Sequence, residues 1–189
     1  ADDTGSSDVP CNRNMADVVI GDLVVTEIMF NPDFGYDDAN EWIEIKNTAG
    51  CNINLKGLII AEDDGGDTEV TTDAIVAPGT RTVLGVGDGS GWEYPFRPDA
   101  FYGGLFFGNG GDEVSLKFGT LTLDAVPDYG PLSIEDGHTF TLDATKENAT
   151  ENDVLDNWCE SRIPITGTED HGTPFAADAC AVESGDAVE

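Results

Sequence analysis

The chain has 189 residues, and its 38 Asp and Glu against 8 Lys and Arg leave a net charge of −30. Phosphate binding needs clustered cations, so nucleic acid and anionic membrane are not expected partners, and no apolar run reaches the roughly 18 residues that a membrane-spanning helix needs. An acidic excess of this size fits a surface kept soluble in salt, where screening limits self-repulsion, or acidic loops that hold divalent cations.

A hydrophobic share of 39% is enough for a core, and 23 Gly with 9 Pro fit many short strands and tight turns within one domain. Residues 1–16 are polar and acidic and read as an N-terminal arm, 17–180 as the folded body, and 181–189 as an acidic tail. The chain opens at Ala1 with no initiator Met and no apolar leader. The expectation is a secreted protein whose signal peptide has been removed.

In 23–30 both faces are mostly apolar, with Val24, Thr26, Ile28 and Phe30 on one and Leu23, Val25, Glu27 and Met29 on the other. That pattern predicts a central strand. Asn31-Pro32 ends it, because proline donates nothing to a ladder. In 41–47, Ile43 and Ile45 alternate with Trp42, Glu44 and Lys46. Further strands are predicted within 53–60, with a bend at Gly57, over 68–76 at a sheet edge, and over 80–86, 101–107, 112–118, 121–126 and 138–142. Gly108-Asn109-Gly110-Gly111 carries the sharpest hairpin signal. No stretch has a helical period of useful length. The fold class is therefore all-β: an antiparallel sandwich with Greek-key connections and about nine or ten short strands.

Four cysteines, Cys11, Cys51, Cys159 and Cys180, are widely spaced, and the chain has no CxxC and only two His. An even count in a secreted chain predicts two disulfides rather than a zinc site. Three connectivities are open. The expected one is Cys11–Cys180 with Cys51–Cys159, the first of which closes nearly the whole chain and stabilises by about 5 kcal/mol on chain entropy.

Several stretches in fixed order resemble the lamin-tail domain family in its secreted bacterial form. They are 23–29 followed by Asn31-Pro32, then 41–47, 53–58, Ala77-Pro78-Gly79, 105–116, Trp158-Cys159-Glu160 and His171-Gly172-Thr173-Pro174. The resemblance implies an immunoglobulin-like β-sandwich that serves as an interaction or structural module, often beside hydrolase domains in secreted proteins. It also implies architectural roles for Glu44 and Asn47. Cys51 and Phe175 depart from the family pattern.

Acidic loops supply candidate Ca²⁺ ligands: Asp33, Asp37, Asp38 and Glu41 in one, Asp63, Asp64 and Asp67 in another. Ca²⁺ takes six to eight oxygens, although neither loop matches the twelve-residue calcium motif. Glu27, Glu41 and Glu44, on alternating strand positions, read as solvated or turn-bonding carboxylates rather than a general acid–base pair. Trp92, Tyr94 and Tyr102 lie in an aromatic-rich zone that reads first as core packing and loop anchoring, and they are also the candidates for a sugar- or partner-binding face. His138 and His171 have no Ser or Cys partner in a recognisable motif, and no catalytic residue stands out.

The expected function is a non-enzymatic, extracellular structural or interaction module of a cell surface or matrix. Its partners are other protein chains, including further copies of itself joined by strand addition into a fibre. The alternatives are a calcium-dependent or carbohydrate-binding module and an accessory domain of a secreted hydrolase system. No cofactor is required by this reading, Ca²⁺ being the one candidate.

Overall fold

The structure is a computed structural model that describes residues 11–62 and 66–180. Asp63 and Asp64, residues 1–10 and the end 181–189 lie outside the described residues. In chain order the strands are β1 (Asn12–Asn14), β2 (Leu23–Met29), β3 (Trp42–Asn47), β4 (Asn52–Asn54), β5 (Ile59–Glu62), β6 (Asp67–Glu69) and β7 (Ile75–Val76). There follow β8 (Arg81–Gly85), β9 (Ala100–Phe101), β10 (Val114–Phe118), β11 (Leu121–Val126), β12 (Phe140–Leu142) and β13 (Trp158–Glu160). They form a six-stranded sheet ordered β13-β12-β2-β3-β8-β9, a four-stranded sheet β11-β10-β5-β6, and a small sheet β1-β4-β7. The fold is an all-β sandwich, as the turn-punctuated strand pattern predicts.

Strand β2 is buried along its whole length and lies between β12 and β3, the central place that its two apolar faces require. Its alternation is not regular, however. The β2–β3 register shifts between Val25 and Glu27, so one extra residue sits on β2 at Thr26. Such a bulge reverses the parity of the residues beyond it. Ile28 and Phe30 therefore join Leu23 and Val25 in the main core, while Met29 belongs to a second cluster with Trp42 and Val83.

The main core lies between the sheets, with Ile43, Ile45 and Phe140 from one layer packed with Ile60, Leu116 and Leu123 from the other. The second cluster covers the opposite face of the six-stranded sheet. There Met29, Trp42 and Val83 pack with Tyr94 and Ile165, and Phe34, Trp92 and Phe96 close over them. This outer layer comes from irregular segments around 92–96 and 163–178. It converts what reads as a solvated strand face into an interior.

Five expectations are corrected. The sheets are not purely antiparallel: β1 pairs parallel with β4, and β8 with β9. The body begins earlier than residue 17, since β1 is fastened by the Asn52 N–H to the Cys11 carbonyl at 2.8 Å. The disulfides are Cys11–Cys51 and Cys159–Cys180 rather than Cys11–Cys180 and Cys51–Cys159. Parallel pairing of β1 with β4 sets Cys11 beside Cys51, and the segment near 178 returns along the end of β12, through the Ala144 N–H to the Asp178 carbonyl, to meet β13. The Gly-rich turn at 108–111 joins no paired strands, because most of 101–107 is irregular and β10 pairs with β5 and β11. Finally, 68–76 splits into β6 and β7, which join different sheets.

Candidate functional site

Glu27 on β2 and Glu44 on β3 are register partners and are each only 1% exposed. Both turn to the outer face of the six-stranded sheet, under the C-terminal segment. Glu27 Oε1 accepts the Thr139 hydroxyl at 2.6 Å and the Thr173 N–H at 2.7 Å, and its Oε2 accepts the Thr173 hydroxyl at 3.0 Å. Glu44 accepts the Thr26 hydroxyl at 2.7 Å and the Phe175 N–H at 2.6 Å. Burial pushes the Glu27 carboxyl up to about 7, against hydrogen bonds from Thr139 and Thr173 that lower it. Burial, then the charge of Glu27, hold Glu44 well above the ordinary range.

Cations balance part of this charge. Arg81 Nε lies 3.2 Å from Glu44 Oε1, an ion pair without hydrogen-bond alignment. The other end of Arg81 pairs with Glu147, which also holds Lys46. The result is a buried chain of charges running from Glu27 to Lys46, with three carboxylates and two cations.

Other buried acids work in the same way. Asp170 Oδ1 accepts the Asp33 N–H at 3.1 Å, and its Oδ2 accepts the Phe34 N–H at 3.3 Å and the Tyr94 hydroxyl. Glu41, 2% exposed, accepts the Phe107 N–H at 2.9 Å. Its carboxyl rises to about 9, first by burial, with the Phe107 bond opposing the rise and Asp37, Asp38 and Asp112 adding to it. Perturbed carboxyls mark acid–base sites when a substrate can reach them. Here the oxygens are engaged by N–H groups and hydroxyls of neighbouring segments, so what the arrangement does is fasten loops to the sheet.

Glu27, Glu41 and Glu44 are therefore interior groups, not solvated ones. The signal for Glu27 was present in the sequence, since a lone acid in a run as apolar as 23–30 has no wet face to occupy. Asn47 fastens the turn after β3: its Nδ2 donates to the Cys51 carbonyl at 2.8 Å and to that of Val76 at 2.9 Å, and its Oδ1 accepts the Ala49 N–H.

The aromatic candidates are also placed inside. Tyr102 is fully buried and packs on Phe107, Tyr94 is 5% exposed, and the half-buried Trp92 gives its indole N–H to the Phe96 carbonyl at 2.7 Å. They build a core and do not form an open binding face. The candidate calcium ligands do not converge among the described residues. Asp33, Asp38 and Asp67 are exposed, Asp37 accepts Asn109 Nδ2 at 3.0 Å, and Glu41 is turned inward to Phe107. Asp63 and Asp64 lie outside the described residues.

One group with metal-ligand character draws together among the described residues: ligand atoms of Glu135, His138 and Glu160 lie within 4.8 Å of one another. It has protein partners already. His138 Nδ1 is 2.8 Å from the Ser161 carbonyl and 3.6 Å from Glu160 Oε1, and Glu160 Oε2 accepts the Glu135 N–H at 2.9 Å. The His138 ring stacks on His171 at 4.1 Å. Sequence spacing could not bring these together, because β12 and β13 must first pair.

A cleft of about 720 Å³ opens between β6 and β9, lined by Thr68, Glu69, Asp88, Arg97, Asp99 and Phe101, among others. No helix among the described residues is long and apolar enough to cross a membrane. No family model matches the chain, and no curated protein matches it.

Proposed function

We propose that the chain is a non-enzymatic structural or interaction module of an extracellular surface or matrix, one that holds other protein chains by adding an extended segment to a sheet edge. The observation that carries this reading is the use made of Glu27, Glu44, Glu41 and Asp170. Each spends oxygens on internal N–H groups or hydroxyls, so the groups with the acidity of a reacting pair serve as clasps. Two disulfides support an oxidising compartment, and secretion and the lamin-tail resemblance belong to the same proposal.

The place for a partner strand is the cleft between β6 and β9, which are the end strands of their sheets. An unpaired edge is a template for strand addition. The Val70 N–H points inward to the Leu58 carbonyl at 2.8 Å, so strand alternation turns the Glu69 N–H outward. Further copies of the chain are one such partner. With −30 on each copy, association between them needs salt.

Sedimentation velocity and negative-stain electron microscopy at low and at high salt, with a Glu69→Pro variant, test the reading. Assemblies in salt that the variant loses support edge addition. Protein that stays monomeric throughout overturns the self-association arm. Turnover of generic ester, phosphodiester or glycoside substrates that Glu27→Gln abolishes overturns the non-enzymatic reading.

A further inference from the structure

Asp124 on β11 and Asn152 in the turn before β13 are both buried, and each has one oxygen, Oδ1 in both residues, without a well-aligned hydrogen-bond donor, the backbone of Ala125 lying close enough to the Asp124 carboxyl to act on it weakly. The remaining atoms are well used. Asp124 Oδ2 accepts the Val25 N–H and the Asn152 Nδ2–H, each at 2.8 Å. A carboxyl and a primary amide are planar groups of the same shape. When one N–H···O bond joins them edge to edge, their second oxygens lie side by side. In such an edge-to-edge pair an ionised Asp124 would set two acceptors against each other in the interior, which buried polar groups avoid. A hydrogen on Asp124 Oδ1, donated to Asn152 Oδ1, satisfies both at once.

We propose that Asp124 is a protonated acid paired with the Asn152 amide through two hydrogen bonds, and that this pair is a proton-controlled lock between the two main sheets. Its position suits that role. Asp124 belongs to the four-stranded sheet, Val25 to the six-stranded sheet next to its bulge, and the Asn152 carbonyl takes the Trp158 indole N–H at 2.8 Å. Three segments therefore meet on one carboxyl.

The charges around the pair favour the proton. Burial pushes the Asp124 carboxyl up to about 7, against the Val25 and Asn152 bonds, and Asp153 on the Asn152 turn raises it further. The cations of the neighbouring segments are held elsewhere, Arg13 by Asp22, Lys46 by Glu147 and Lys146 by Glu151. Closing the joint takes up a proton. Opening therefore becomes about tenfold easier per pH unit from the ordinary aspartate range up to about 7, and levels above that.

Carbon-13 NMR of the aspartate carboxyls, assigned with Asp124→Asn, reads the proton directly. The Asp124 resonance is expected in its protonated position at about pH 5.5, where exposed aspartates are ionised. Hydrogen exchange at the Val25 amide reads the lock. Its protection falls between about pH 5 and 7 more steeply in the wild type, by about tenfold per pH unit, than in Asp124→Asn, whose new amide can donate to Asn152 Oδ1 and rebuild the two-point pair. Asp124→Ala is open at every pH. An Asp124 carboxyl already ionised at about pH 5.5, or an Asp124→Asn protein that fails to fold or protects Val25 no better than Asp124→Ala, overturns the proposal.

Discussion

Glu27 and Glu44 face each other across β2 and β3, and both close on the same later stretch of chain, Glu27 through Thr173 and Glu44 through Phe175. The central strands thus hold the segment that covers them by acids rather than by apolar contact alone. Asp178 extends the arrangement by accepting the Ser161 hydroxyl at 2.7 Å.

This arrangement makes stability rise on acidification. The folded state binds protons that the unfolded chain releases, because Glu27, Asp124 and Glu41 have carboxyls raised to about 7, 7 and 9. Their contribution is fully present below the ordinary carboxyl range and is lost as pH rises through those values. For Glu27 alone the shift from 4.5 to about 7 corresponds to on the order of 3 kcal/mol. Lower repulsion within a chain of net charge −30 acts in the same direction. Urea unfolding from about pH 9 down to about pH 5 is expected to show a rising midpoint. A midpoint that falls or stays level contradicts the burial of these acids.

Arg81 is the cation between Glu44 and Glu147. Replacing it by Met leaves those carboxylates and Glu27 with Lys46 alone. A loss of about 3–5 kcal/mol is expected near pH 8, since removing one partner strands a buried charge. The loss should shrink near pH 5, where Glu27 and Glu44 take up protons instead. Equal losses at both values would show that Arg81 acts by packing rather than by charge.

Phe175 has φ of 66°, follows Pro174, and lies in a turn closed by the Ala176 N–H to the Thr173 carbonyl at 2.8 Å. This is the pattern of a type II turn, whose third position favours glycine. Phe175→Gly gains conformational relief and loses the edge contact with Phe96 at 6.0 Å, so its stability is expected within about 1 kcal/mol of wild type. Phe175→Ile, branched at Cβ, is expected to lose roughly 1–3 kcal/mol. Thermal melts of the two variants decide it, and equal melting temperatures would remove the turn assignment.

The disulfides span 40 residues for Cys11–Cys51 and 21 for Cys159–Cys180. On chain entropy their removal costs about 4 and about 3 kcal/mol respectively. Paired Cys→Ser variants measured in urea check this order. Peptide mapping without reduction is expected to yield the two short-range links, and a fragment joining Cys11 to Cys180 would refute the fold near both ends.

Much of the sandwich was legible because it is periodic. The run 23–30 announced a central strand, Pro32 its end, and Ile43 and Ile45 a core face. The covering layer was not legible, because 92–96 and 163–178 have no period and touch the sheet through single residues such as Tyr94, Ile165 and Thr173. Without that layer Glu44 alternates like an exposed strand residue. For Glu27 burial was legible from the apolar run around it, but the bulge at Thr26 hid which face it takes, since one inserted residue swaps faces and alternation alone cannot announce it. The cysteine partners depended on β1 running parallel to β4, a long-range pairing that three-residue strands do not advertise.

The stretch that covers Glu27 and Glu44 is made of residues translated after every strand of the six-stranded sheet. While that sheet assembles on a growing polypeptide, its uncovered side carries two ionised acids facing water. Only when this later stretch threads its amides onto those acids does the side become dry, so closure of that face comes after the sheet beneath it has been made.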